Sequence, residues 1–273
     1  MVLENILRGH LKCPKCGSED QIWGDNYIEC RSCSEKIKIK NTIPRYVDGA
    51  YHSNFGLQWN KFSTVQLDSF NGSDESEKRL KTQSKLRPDD FVGKTILEVG
   101  AGNGRFTEIF LKFGAKVIAV DYSSAIDANW RNHSKYIEEG RLLLLQGDLF
   151  NLPLTESSFD IVFCYGVIQH TGNNQKAIAE LSKFPKKKGR LLMDIYSTSI
   201  KDFNPLIYLI RPFFSLLKVD DERRLEIVEN FVRKVFPIQL KILPRLHKKK
   251  GLLKILRWVV NRSANSVYGI NLF

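Results

Sequence analysis

Three groups of residues in this chain have the types and spacing to do chemistry, and the first is a set of cysteines. Cys13-Pro-Lys-Cys16 and Cys30-Arg-Ser-Cys33 are two CxxC knuckles separated by 13 residues, and Cys164 stands apart. Paired knuckles can bring four thiolates to the corners of a tetrahedron around zinc. Gly17 suits the tight turn that a knuckle needs. Residues 21–23 and 27–29 read as short strands around Gly24-Asp25-Asn26, a hairpin signal. Cys13, Cys16, Cys30 and Cys33 are therefore the expected metal ligands of a zinc ribbon within residues 1–50. Four thiolates close the coordination sphere, so the expected role of the metal is structural.

The second group is Glu98, the loop Gly100-Ala101-Gly102-Asn103-Gly104, Asp121 and Asp148. A dinucleotide fingerprint needs GxGxxG. Here the third glycine comes one position early, and Arg105 stands where the fingerprint has glycine. Glu-x-Gly-x-Gly-x-Gly instead suits a ligand with an amino acid moiety and a cationic sulfonium. The glycines let backbone approach that ligand closely, and Glu98 can help hold its ammonium. Asp121, followed by Tyr122, can accept the hydroxyls of a ribose. Asp148 can accept from an adenine amino group, with the Leu149 N–H on a ring nitrogen. The third group follows the next apolar run: Cys164, Tyr165 and His170. Tyr165 could lie against a sulfonium. His170 is the candidate general base, because imidazole ordinarily titrates near neutral pH; helix capping or packing explains it equally well. Cys164, in an apolar strand, reads as a buried thiol.

These residues need a frame that presents them together. Thr95 to Val99 is an apolar strand; a helix follows the glycine loop, with Phe106, Ile109, Phe110 and Phe113 on one face and Gly114 as its stop. Strands are expected over 116–120, 142–146, 159–164 and 190–195, with helices through Tyr136 and over 174–184. Strand–helix alternation at this spacing predicts an α/β, Rossmann-like, doubly wound and mostly parallel sheet, which binds ligands beyond the carboxyl ends of its strands. Glu98, the loop, Asp121, Asp148 and Tyr165 all fall at such ends. Within residues 51–92, Phe55, Trp59 and Phe62 recur at helical spacing. This linker could lid the cavity, with Gln58 or Asn60 reaching an acceptor, or simply pack. Residues 71–76 read as a turn or a helix start.

Four stretches together resemble class I S-adenosylmethionine-dependent methyltransferases: ILEVGAGNGRF, VIAVDYS, LQGDLFNLPLTESSFDIVFCYGVIQHT and KKKGRLLMDIY. The block from Asn54 to Asn60, with Gln66 to Ser69, is similar to a narrower group, the zinc-ribbon-bearing bacterial methyltransferases of surface-polysaccharide or secondary-metabolite assembly. The resemblance implies S-adenosylmethionine as cofactor of a core over residues 93–200, and methylation of a small-molecule or glycan acceptor, O-directed. Two successive histidines often stand in that family where this chain has Gln169-His170. The family pattern also supplies two further sheet-completing strands. None is legible after residue 200, so an incomplete sheet edge is expected.

Net charge is +12, from 42 basic and 30 acidic side chains. Residues 201–273 carry 15 basic and 6 acidic of these, leaving the first 200 nearly neutral. A basic tail suggests an anionic partner: a phosphorylated or lipid-linked acceptor, anionic lipid or nucleic acid. Helices are expected from Asp220, with Leu225, Val228, Phe231 or Val232, and Val235 on one face, and over 252–260. No run of about 18 uncharged apolar residues exists, and no secretory signal is legible at the N-terminus. A cytoplasmic protein, peripheral to the inner face of the membrane at most, is the expectation. Two other readings remain at this level. An RNA base methyltransferase predicts a continuous basic face, which the small charge of residues 1–200 disfavours. A non-catalytic relative would retain the fold alone.

Overall fold

The computed structural model describes residues 6–47 and 53–195, and in the C-terminal part residues 216, 218–220, 222–231 and 233–234. The chain divides into two units, Met1–Tyr196 and Ser197–Phe273.

The first unit is built on one nine-stranded sheet. Four short strands come first: β1 (Gln21–Trp23), β2 (Tyr27–Cys30), β3 (Lys36–Lys40) and β4 (Ile43–Arg45), paired antiparallel in sequence order. Three helices follow, α1 (Ser53–Lys61), α2 (Asp68–Asn71) and α3 (Glu75–Ser84). The remainder alternates: β5 (Thr95–Val99), α4 (Arg105–Lys112), β6 (Lys116–Asp121), α5 (Ile126–Glu138), β7 (Leu142–Gln146), β8 (Phe159–Cys164), α6 (Asn174–Leu181) and β9 (Pro185–Met193). The strand order is β1-β2-β3-β4-β7-β6-β5-β8-β9, and every pairing from β4 to β9 is parallel. The order reverses between β5 and β8, the switch point at which such sheets take ligands.

Residues 95–99 and 142–146 form strands because each is a short continuous apolar run, as a strand covered on both faces requires; all of β7 is buried. One buried cluster, with Phe91, Phe110 and Phe163 at its centre, packs α3 and α4 on one face. A second joins Leu97, Ile118 and Leu143 to Leu7, Leu11 and Ile28 of the cysteine-bearing segment. The N-terminal strands therefore share both the sheet and the core with the Rossmann-like part.

Two observed boundaries differ from expectation. β9 starts at Pro185 rather than Arg190, with a register shift between Phe159 and Ile161 that absorbs the exposed lysine run Lys186–Lys188. The helix expected over 174–184 stops at Leu181, because Ser157 and Ser158 donate to the carbonyls of Lys183 and Phe184 and draw the chain out of the helix. Residues 71–76, read as a turn or a helix start, hold both: α2 ends at Asn71, Gly72 turns at φ +68° and α3 starts at Glu75. The start of α3 is held by Asp68, whose carboxylate accepts from the N–H groups of Ser76 and Glu77 at 3.0 Å each.

In the second unit residues 222–231 are helical, continuing at 233–234. Asp220 Oδ1 accepts from the Arg223 N–H at 2.7 Å and caps the start of the helix expected from Asp220. Leu225 and Val228 are half-buried, and Phe231 is exposed. Val232, Val235 and the helix expected over 252–260 lie outside the described residues. Among the described residues β9 is the last strand, and no helix is long and apolar enough to cross a membrane.

Candidate active site

The loop after β5 turns back on β6. Gly100 and Ala101 donate their N–H groups to the Val120 carbonyl at 2.7 and 3.0 Å. The Gly102 N–H donates to Asp121 Oδ2 at 2.8 Å, and the Ser123 N–H and hydroxyl donate to Oδ1 at 2.8 and 2.7 Å. Asp121 thereby ties the glycine loop to the end of β6. Gly100 has φ +79°, and a Cβ there would stand 2.1 Å from Val167 Cγ2. Only glycine allows the loop to close against the segment after β8. At the end of β7, Asp148 accepts from the Phe150 N–H at 2.9 Å and caps the short turn Leu149–Asn151.

These strand ends surround a cavity of about 630 Å³, in the range of small-ligand pockets. Glu98, Gly100, Ala101, Gly102, Asn103, Asp121, Tyr122, Asp148, Leu149, Tyr165 and His170 all lie on its wall. Gly104 does not, and is set apart from the other expected cofactor contacts. It faces α5: at φ +93° an added Cβ would come within 2.5 Å of His133 Cε1 and 2.6 Å of Asn129 Oδ1. Its smallness serves the packing of α4 on α5. Asn103 is 2% exposed and donates its side chain to the Ser63 carbonyl at 2.9 Å, clasping the segment after α1. Of the two side chains that could have reached an acceptor, Asn60 donates to the carbonyls of Gly56 and Ser124 at 2.8 Å each, and Gln58 is exposed. From α1 it is Trp59 that reaches the cavity wall.

Glu98 is 2% exposed and accepts from the Thr107 hydroxyl at 2.6 Å. Thr107 in turn accepts from Asn129 Nδ2 at 2.9 Å. Burial pushes the Glu98 carboxyl up to about 8, so it holds its proton at neutral pH. Burial likewise pushes His133 down to about 4 and the Cys164 thiol up to about 12, leaving both neutral. Tyr165 stacks 4.1 Å from Phe163 and stands edge-on to Phe106, and burial raises its hydroxyl's pKa. His170 ends the turn Ile168–His170 and is exposed, at the mouth of the cavity. Gln169 has both side-chain amide atoms buried and unpaired among the described residues.

Sequence reasoning gave no site role to several residues on this wall, among them Arg79, Arg105 and Gln66. Arg79 pairs with Asp194, whose other oxygen accepts from the Gly166 N–H. Arg105 donates Nε to Ser76 Oγ at 2.8 Å. Gln66 completes this end. Charged helix residues read as solvated faces; the one available signal was Arg105 directly after the glycine loop.

The four Sγ atoms of Cys13, Cys16, Cys30 and Cys33 lie within 4.8 Å of one another. Cys13–Cys33 and Cys16–Cys30 are each 3.5 Å apart. Thiolates at the vertices of a zinc tetrahedron stand about 3.8 Å apart, so the donor set and its spacing fit that ion. Each knuckle is closed by the same turn: Gly17 N–H to the Cys13 carbonyl, and Ser34 N–H to the Cys30 carbonyl, at 2.9 Å. The last ribbon strand reaches the cavity wall. Arg45 pairs with Asp127 and donates to Gln146 Oε1 at 2.9 Å, and Gln146 Nε2 donates to the Tyr122 carbonyl at 3.1 Å.

Residues 97–193 match the family described as "Methyltransferase domain". The chain is 30% identical over 112 residues to the mitochondrial ubiquinone biosynthesis O-methyltransferase of Schizosaccharomyces pombe, covering 40% of each. It is 28% identical over 109 residues to the demethylmenaquinone methyltransferase of Thermobifida fusca, covering 40% of this chain and 46% of the relative. A ubiquinone biosynthesis O-methyltransferase of Coxiella burnetii is 30% identical over 118 residues, covering 43% of this chain and 49% of its own length. The chain thus spans less than half the length of these curated relatives. The span that matches this family, residues 97–193, holds the loop after β5 and strands β6 to β9 of the parallel order β7-β6-β5-β8-β9.

Proposed function

We propose that the chain transfers a methyl group from S-adenosylmethionine to a hydroxyl of a small-molecule or glycan-type acceptor. The observation that carries this reading is the single cavity bringing Glu98, the glycine loop, Asp121 and Asp148 to one wall at the switch point of the sheet. When bound, the cofactor supplies a methyl already activated by its sulfonium charge. Asp121 accepts from the ribose, and Asp148 with the Leu149 N–H takes the adenine. Glu98 meets the ammonium, and the loop backbone from Gly100 to Asn103 allows close approach. Tyr165 and the surrounding aromatic wall exclude water and orient the acceptor, which is where most of the rate gain in such a displacement arises. His170, exposed at the mouth, is positioned to take the acceptor's proton as the new bond forms. Two of the relatives are named as O-methyltransferases, which supports the hydroxyl as acceptor. The basic surplus of residues 201–273 supports an acidic acceptor, phosphorylated or lipid-linked, met at an anionic membrane surface on the cytoplasmic side.

Zinc held by Cys13, Cys16, Cys30 and Cys33 is structural in this reading. It would staple two knuckles that lack a sufficient core of their own. Metal analysis of purified protein is expected to return one zinc per chain.

Calorimetry decides the cofactor. S-adenosylmethionine is expected to bind the wild type, and Asp121→Ala to weaken binding about tenfold or more. No heat with folded wild-type protein would end the methyltransferase reading. Labelled methyl transfer screened against sugar-nucleotide, lipid-linked and RNA pools then identifies the acceptor class; transfer to RNA alone would overturn the small-molecule assignment.

A further inference from the structure

The buried carboxyl on the cavity wall is one end of a chain of polar side chains that runs through the core to α5. Glu98, Thr107, Asn129 and His133 are each at most 3% exposed, so solvent does not compete for their polar atoms. Three links join them: Glu98 Oε2 to the Thr107 hydroxyl at 2.6 Å, Thr107 Oγ1 to Asn129 Nδ2 at 2.9 Å, and Asn129 Oδ1 to His133 Nδ1 at 2.9 Å. The last glycine of the loop makes room for the far end, since a Cβ on Gly104 would stand 2.6 Å from Asn129 Oδ1 and 2.7 Å from His133 Nδ1. Thr107, Asn129 and His133 lie behind the cavity wall rather than on it.

The direction of every link follows from one atom that can only accept. His133 Nδ1 also faces the Asn129 backbone carbonyl, at 3.2 Å. A carbonyl has no hydrogen to give, so Nδ1 carries the ring proton. Asn129 Oδ1 then accepts from His133, and the amide nitrogen is left to donate to Thr107. A hydroxyl has a single proton, and with an N–H arriving from Asn129 that proton goes to Glu98. The Thr107 backbone N–H, free at the start of α4, donates to Glu98 as well. All donors in the chain therefore point toward the carboxyl, and each polarises the next.

We propose that Asn129 and His133, acting through Thr107, are positioning residues that hold Glu98 as a ready acceptor for the ammonium of the cofactor's amino acid moiety. The proposal rests on the methyltransferase reading. Burial and the neighbouring Asp121 oppose a negative charge on Glu98. Donors fixed in advance need no reorganisation when that charge forms beside the ligand. A carboxylate has about four acceptor positions, so the Thr107 groups leave others for the ammonium. Turned round, the chain would give the Thr107 proton to Asn129 and set a second lone-pair oxygen against Glu98.

Calorimetry with two ligands tests this. S-adenosylhomocysteine carries the ammonium, and 5′-methylthioadenosine keeps the nucleoside and sulfur without the amino acid moiety. Thr107→Val removes the hydroxyl at nearly constant volume. Asn129→Asp replaces the donor amide with an acceptor and reverses the chain. Each is expected to weaken S-adenosylhomocysteine about tenfold while methylthioadenosine stays within about twofold, and Thr107→Ser to restore the wild-type affinity. Equal losses for both ligands would reduce the chain to packing, and no loss for either would remove its role; both outcomes overturn the proposal. Nitrogen-15 NMR of the wild type keeps it falsifiable should the variants fail to fold. The His133 proton is expected on Nδ1, and a proton on Nε2 alone overturns the direction of the chain and the proposal with it. Should neither ligand bind folded wild-type protein, the cofactor reading falls and takes this role of Glu98 along. Wild type that binds both ligands with its His133 proton on Nε2 sinks the chain alone.

Discussion

At the scale of single residues, Glu98 carries the largest consequence. A carboxyl with an ordinary value near 4.5 is held at about 8 by burial, against hydrogen bonds from the Thr107 hydroxyl and backbone. Between those two values the folded protein keeps a proton that the unfolded chain has released. Stability therefore falls as pH rises through that window. Glu98→Gln mimics the protonated form, so its melting temperature relative to wild type is expected to climb from pH 5 to pH 8, by roughly 3 °C per pH unit. Parallel curves would show that Glu98 is charged in the fold. A ligand ammonium beside Glu98 would favour its ionised form. Cofactor binding at pH 7 is therefore expected to release a proton, read as a dependence of calorimetric heat on buffer ionisation enthalpy.

At the scale of elements, the pairing of β4 with β7 is the joint on which the N-terminal strands turn. A single register pair, Arg45 with Gln146, aligns the two strands. The joint is secured by Arg45 against Asp127, with side chains only 13% and 18% exposed. Removing one partner leaves the other charge half-buried and alone, at a cost of about 3 kcal/mol. Arg45→Ala is expected to lower the melting temperature by roughly 5 to 10 °C. It should also weaken cofactor binding severalfold, because Gln146 holds the Tyr122 carbonyl on the cavity wall. A melting loss without any change in affinity would confine Arg45 to stability.

The elements also show what was readable beforehand. The runs 95–99, 142–146 and 159–164 coincide with strands, because a strand buried on both faces must be mostly apolar and these runs are, polar only at Thr95, Glu98, Gln146 and Asp160. β3 went unread although Lys36-Ile-Lys-Ile-Lys alternates in burial along its length. Its lysines mimic a solvated charge run, and its partner β4 contains Pro44. The glycine loop, Asp121 and Asp148 were legible as a set because backbone flexibility and strand-end acids leave a mark in sequence. Arg79 and Arg105 were not, since their placement depends on the α3–α4 packing and on Ser76, contacts formed by residues far apart in the chain.

At the scale of the molecule, the ribbon and the Rossmann-like part share one buried cluster: Leu7, Leu11 and Ile28 pack with Leu97, Ile118 and Leu143. His10 stacks on Phe159 at 5.0 Å, and Leu11 bridges to Leu154. If zinc staples the knuckles, chelation withdraws stability from the whole first unit. One cooperative unfolding transition is expected with metal and one at lower temperature without it. Two separate transitions, with only the first moved by chelator, would mean that the ribbon folds independently.

The shared sheet also decides where this chain can be cut. A fragment trimmed to begin at Ser53 would lose β4, and β7, whose five residues are all buried in the intact unit, would become an open border. Bare strand borders recruit one another. Such a fragment is fated to clump in solution, and a search for its ligands would report on the clumps. The small cysteine-bearing module is a hem stitched along the sheet, and unpicking it frays the fabric that holds the hollow at the switch point.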